Sequence, residues 1–253
     1  MENKAILSVR DLTIGHDGKI LCSGISFDIL PGDCIMLCGA NGSGKTTLMK
    51  TISGAAENHI AVQSDEQAEC IVIPARIPKI SGFTLREFVR VSCFNKSDML
   101  GKLCDSDEAE MEQAIASLGL SHLADRDIST LSDGEFQKAG IVSALVRKAS
   151  IIMLDEPTAF LDAENRISVL NTLKAICEGS ISKHKTGSEH KPAIIFSTHD
   201  LHDGLKVCTK VFALGSDRRF HCSQGTDPES KAGTVSLIFD INETFYTFGV
   251  HFE

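Results

Sequence analysis

The chain has 253 residues, of which 42% are hydrophobic and 23% charged, enough for one folded α/β domain spanning 1–253 with a subdomain inserted in it. Its 34 acidic residues outweigh 25 lysines and arginines, giving a net charge of −9, and this excludes nucleic acid as a partner because phosphate backbones need a basic face. No apolar stretch is long enough to span a bilayer and the first residues carry no secretory core, so a cytoplasmic location is expected.

Residues 6–29 alternate apolar and polar positions around Gly15, Gly18 and Gly24 and predict a meander of short strands. After the turn at Pro31-Gly32-Asp33, Cys34 to Cys38 reads as a buried strand, followed by a glycine-rich loop and a helix over Thr46 to Ser53. Residues 55–69 are polar and carry no assignment, and Cys70 to Pro74 is a further strand. Thr84-Leu85-Arg86-Glu87 is a capping box, and apolar spacing continues the helical pattern through Met111 to Leu118. A second box, Ser132-Asp133-Gly134-Glu135, opens a helix to about Lys148. Ile151 to Leu154 returns to strand, Asp162 to Cys177 is helical, residues 178–192 form a surface loop, and strands follow at Ala193 to Ser197 and Val211 to Leu214. The order predicts a mostly parallel sheet carrying an inserted helical subdomain. Nine cysteines occur without a Cys-x-x-Cys pair, so Cys34 and Cys38 are expected as small core residues and no zinc motif is indicated.

Gly39-Ala40-Asn41-Gly42-Ser43-Gly44-Lys45-Thr46 matches G-x-x-x-x-G-K-[ST] between a strand and a helix. Glycines let backbone amides turn inward around phosphate oxygens, and the helix start adds partial positive charge. Gly39, Asn41, Gly42, Ser43, Gly44, Lys45, Thr46 and Thr47 are therefore the candidate nucleotide site. Lys45 would reach the β- and γ-phosphates, and the Thr46 hydroxyl would ligate Mg²⁺. Two acids stand at the end of the strand Ile151-Ile152-Met153-Leu154: Asp155 suits the Mg²⁺ shell, and Glu156 suits a general base acting on water.

Leu131-Ser132-Asp133-Gly134-Glu135 resembles the ABC signature usually written LSGGQ, with Asp133 and Glu135 as departures. With Phe136-Gln137-Lys138, Asp155-Glu156-Pro157-Thr158-Ala159-Phe160-Leu161-Asp162 and Ser197-Thr198-His199-Asp200, the chain is similar over nearly its whole length to ATPase subunits of iron-siderophore and cobalamin importers. The resemblance implies an ABC-type P-loop NTPase with an N-terminal antiparallel β subdomain, a helical subdomain at about 82–148 and a short tail at about 225–253. Strands are expected in that tail at Val235 to Phe239 and Thr244 to Phe248.

It further implies ATP and Mg²⁺ as cofactors and ATP hydrolysis coupled to transport. A second copy of the chain would complete an ATP sandwich, and a separate membrane permease would hold the motor at the inner face of the membrane. Ser132 and Gly134 would meet the γ-phosphate bound to the other copy, Asp162 belongs to the D-loop, and His199 would contact the γ-phosphate and brace Glu156. His16 falls where an adenine-stacking aromatic is usual. The Q-loop glutamine expected after Cys70 to Pro74 is absent, and the chain reads Ala75-Arg76 instead. A soluble ABC ATPase of iron–sulfur assembly or another non-transport role is the second reading. An inactive regulator is opposed by intact Lys45, Asp155, Glu156 and His199.

Overall fold

A computed structural model describes residues 4–54, 62–64, 69–93, 103–180, 191–223 and 225–239. Strands β1 (Leu7–His16) and β2 (Lys19–Ile29) form an antiparallel hairpin, and β4 (Val62–Ser64) pairs with β1 on its other side. The expected meander of short strands is thus two long ones. Their pairing shifts register between Val9 and Gly15, where bulges at Asp11 (φ 47°) and Gly24 (φ 68°) absorb the interruptions that broke the alternation.

The main sheet has the order β5-β6-β7-β3-β8-β9, built from β3 (Cys34–Gly39), β5 (Cys70–Ile73), β6 (Ile151–Leu154), β7 (Ala193–Ser197), β8 (Lys210–Leu214) and β9 (Phe220–Cys222). Every pair is parallel except β8 with β9. The helices are α1 (Lys45–Ile52), α2 (Leu85–Val91), α3 (Asp105–Ser117), α4 (Asp133–Val146), α5 (Ala163–Cys177), α6 (Leu201–Val207) and α7 (Pro228–Ser236).

Strand alternation divides the core in two. From β3, Ile35 and Leu37 join Met153, Ile195, Leu48 and the hairpin residues Val9, Ile25 and Phe27 on one face. Met36 and Cys38 join Ile152, Phe196 and the apolar sides of α2 to α5 on the other. Burial pushes the Cys38 and Cys208 thiols up to about 12, so both stay neutral and serve as core filling.

The tail departs from expectation. Val235 lies in α7, not in a strand, because Asp227 accepts the Ser230 amide as a helix cap and Pro228 occupies the first turn. Leu237 follows that helix, and Thr244 to Phe248 lies outside the described residues, as do residues 181–190 of the expected loop. No helix among the described residues is long and apolar enough to cross a membrane.

Candidate functional site

β3 is buried throughout and delivers the glycine-rich loop at its carboxyl end, where open parallel sheets bind ligands. A Cβ on Gly39 would lie 2.6 Å from Ser43 Oγ and 2.9 Å from the Leu214 carbonyl, so no larger residue fits there. Gly44 has φ 105°, and a Cβ would come within 3.0 Å of Ile14 Cδ1 and 3.3 Å of Leu21 Cβ. The loop is therefore seated directly on the hairpin. Gly44 precedes α1 without any side-chain cap, leaving first-turn amides open to an anion. Ser43 Oγ is buried against Gly39 without a hydrogen-bond partner among the described residues.

Lys45 is buried and its ammonium donates to the carbonyls of Gly39 (2.9 Å) and Ala40 (3.2 Å). Burial lowers its pKa below the ordinary lysine value, and Glu156 and Asp155 offset part of that shift. The Thr46 hydroxyl donates to Asp155 Oδ2 at 2.6 Å. Hydroxyl and carboxylate oxygens side by side are the hard donor set that Mg²⁺ prefers, so the residues fit the ion.

Asp155 and Glu156 extend past β6 as expected. Glu156 has φ 49°, a strained conformation for a non-glycine residue that turns it away from the strand direction. Its Oε1 lies 2.9 Å from His199 Nε2. Ser197, which the sequence reading gave no role, links the two acids. Its hydroxyl donates to Asp155 Oδ1 at 2.8 Å and accepts the Glu156 amide at 2.7 Å. Thr46, Asp155, Ser197, Glu156 and His199 thus form one connected polar chain.

A cleft of about 470 Å³ is lined by His16, Asn41, Gly42, Gly44, Lys45, Thr46, Thr47 and Glu156, among others. The hairpin end carrying His16 thereby joins the loop, with the imidazole exposed at the rim beside Asp17.

Ser132, Gly134 and Asp162 do not line this cleft. Ser132 is the N-cap of α4, accepting the Glu135 amide, while the Glu135 carboxylate accepts the Ser132 amide at 2.8 Å. Burial would raise the Glu135 pKa, but the amide and hydroxyl of Ser132 outweigh it and hold the carboxyl below its usual range. Asp162 caps α5, accepting the Asn165 amide at 2.8 Å, and the Asn165 side chain packs where a Cβ on Gly134 would stand, at 3.1 Å. Signature and D-loop are in this way joined to each other and set apart from the loop around Lys45.

The family model described as ABC transporter matches residues 22–159. An aliphatic sulfonates import ATP-binding protein of Pseudomonas syringae is 30% identical, covering 85% of this chain and 71% of that protein. The achromobactin transport ATP-binding protein of Dickeya dadantii is 26% identical over 93% of this chain and 88% of its own length. The iron(3+)-hydroxamate import ATP-binding protein of Bacillus subtilis is also 26% identical, covering 82% and 78%. Among solved structures, a metal-chelate type ABC transporter in an inward-facing conformation superposes with a TM-score of 0.80, at 22% identity, over 94% of this chain and 90% of the other. CbiO1 of Clostridium perfringens, part of the cbiONQ transporter complex, gives 0.75 at 23% identity over 92% of each chain. A phosphate loop seated between hairpin and sheet, acids at the end of β6 and a capped signature helix stand in the family's order, and the chain belongs to the ABC transporter family as an ATP-binding, ATP-hydrolysing domain.

Proposed function

We propose that this domain is the motor of an importer, binding ATP with Mg²⁺ in the cleft around Lys45 and passing the energy of hydrolysis to a separate membrane permease. The polar chain from Thr46 to His199 carries the reading, because it runs through Glu156, whose carboxylate lines the cleft and is held by His199. The amides of Gly42 to Thr47 and the Lys45 ammonium hold the phosphates, and the His16 ring lies against the base. Thr46 and Asp155 would hold Mg²⁺, which when bound would supply positive charge against the nucleotide's phosphates. Glu156 takes the proton of the attacking water, and His199 orients that carboxylate through the 2.9 Å contact.

Since Ser132, Gly134 and Asp162 stand away from this cleft, the site is completed by a second copy whose α4 N-terminus meets the γ-phosphate. The assembly sits at the cytoplasmic face of the membrane. Ferric chelates are the favoured cargo: the achromobactin relative covers 93% of this chain against 85% for the sulfonate relative, and an iron(3+)-hydroxamate relative stands beside it. The test is to purify the chain with its permease, reconstitute both in vesicles and supply either a ferric siderophore or an alkanesulfonate. ATP-driven uptake of the ferric chelate is expected. Uptake of the sulfonate alone would overturn the cargo, and absence of any co-purifying permease would overturn the importer.

A further inference from the structure

The segment after β5 lacks the glutamine that the family places there, yet it is not loose. Ile73 at the end of β5 accepts the Asp155 amide at 2.9 Å, so the segment starts beside the acids. At its far end the Lys79 ammonium donates to the Leu131 carbonyl at 2.8 Å and to Asp133 Oδ1 at 2.7 Å. Asp133 is one of the two departures from the usual signature, and Lys79 is its ionic partner.

Between these ends the Arg76 guanidinium lies over the Phe160 ring, 4.3 Å from its centroid. Phe160 closes the turn after Glu156, in which the Ala159 amide donates to the Glu156 carbonyl at 3.2 Å and the Leu161 amide to that of Thr158 at 3.2 Å. Phe160 is 53% exposed and Arg76 is exposed too, so core packing does not impose their contact. What they hold is a turn that begins on a strained residue, Glu156 at φ 49°. A guanidinium stacked on an aromatic face restrains such a turn without occupying the metal position.

We propose that Arg76 and Phe160 are a positioning pair that fixes the Glu156 turn against residues 74–80, while Lys79 ties the same segment to the start of the signature helix. The pair rests on the reading of Glu156 as the base and acts only through it. Loss of the pair leaves the phosphate loop intact, so the effect falls on turnover and spares ATP affinity.

The experiment measures kcat, ATP dissociation constant and Tm for the full chain and for Arg76→Ala, Phe160→Ala, the double variant and Phe160→Tyr. Each alanine variant is expected to lower kcat about 2- to 5-fold, the worth of an exposed cation–π contact acting wholly on the barrier. Affinity and Tm should match the parent chain, the double variant should be no slower than either single one, and Phe160→Tyr should restore turnover. Independent, multiplying losses in the double variant, a Phe160→Tyr as slow as Phe160→Ala, or an unchanged kcat would overturn the pair while leaving the motor reading intact. Normal turnover by Glu156→Gln would instead remove the base, and the pair with it.

Discussion

Thr46 and Asp155 stand 109 positions apart in the chain, and the hydroxyl of one donates to the carboxylate of the other at 2.6 Å. That contact joins the first turn of α1 to the end of β6 and marks where an Mg²⁺ ion would be shared. Asp155→Asn keeps the size and removes the charge. In the parent chain, chelating Mg²⁺ should weaken binding of a fluorescent ATP analogue. In the variant that difference should shrink about 10- to 100-fold, as loss of a metal's partner does. An unaltered Mg²⁺ dependence would take Asp155 out of the ion's shell.

Ser197→Ala deletes both hydrogen bonds that join the two acids. The Glu156 amide loses its partner in a half-buried place, which costs about 1–3 kcal/mol. Turnover should fall about 10- to 100-fold, as when an orienting group is lost around a metal site. Thermal melts and steady-state ATPase assays on one preparation measure both. Full activity in this variant would show that the acids need no such tie.

Glu156→Gln preserves the side chain's length and removes the proton acceptor. Hydrolysis should drop roughly 10²- to 10⁴-fold with ATP binding retained. Size exclusion at saturating ATP should show a dimer, since the closed sandwich forms and does not reopen. A strictly monomeric profile would count against the composite site.

Lys45 supplies a pH dependence whose sign follows from its burial. Phosphate binding needs the protonated ammonium, and burial lowers the pKa of that group. ATP affinity should therefore weaken as pH rises through the lowered pKa, before an ordinary lysine would lose its proton. Lys45→Ala should bind ATP far more weakly and show no such alkaline loss. Titrations of nucleotide binding from neutral to alkaline pH decide the matter; an identical alkaline limb in both proteins would assign it elsewhere.

Gly44→Ala adds one methyl group where φ is 105° and Ile14 Cδ1 would lie 3.0 Å away. The left-handed backbone and the contact together should cost roughly 2 kcal/mol, or about 4–8 °C in Tm for a chain of this size. Nucleotide affinity should fall as well, because the loop must rise from the hairpin. An unchanged melt would mean that the hairpin gives way freely.

Much of the site was readable before any coordinates, because its pieces are local. Gly39 to Thr46 and Ile151 to Glu156 each carry their own strand context, and both capping boxes formed at Thr84 and Ser132 as read. Ser197 was not readable as a link, since its role depends on β7 lying beside β6 with Phe196 opposite Leu154. Its one local sign was a serine ending the buried run Ile194-Ile195-Phe196. In the tail, Val235 to Phe239 suits a strand by composition, but the stronger signal lies upstream in the helix start Asp227-Pro228. The hairpin differs for another reason. Gly18 is a true turn between the strands, but Gly24, which looks like a second break, is a bulge inside a continuous strand.

The division of the core by the main sheet has a mechanical consequence. Gly44, the hairpin and the inward residues of β3 and α1 belong to one side, while the signature helix packs wholly on the other. Yet β3 is common to both sides, with Ile35 and Leu37 turned to the hairpin and Met36 and Cys38 to the helices. Close-packed interiors resist deformation. A push on the signature helix would therefore reach the strand that carries the phosphate cradle through packed side chains, without any part of the core having to open.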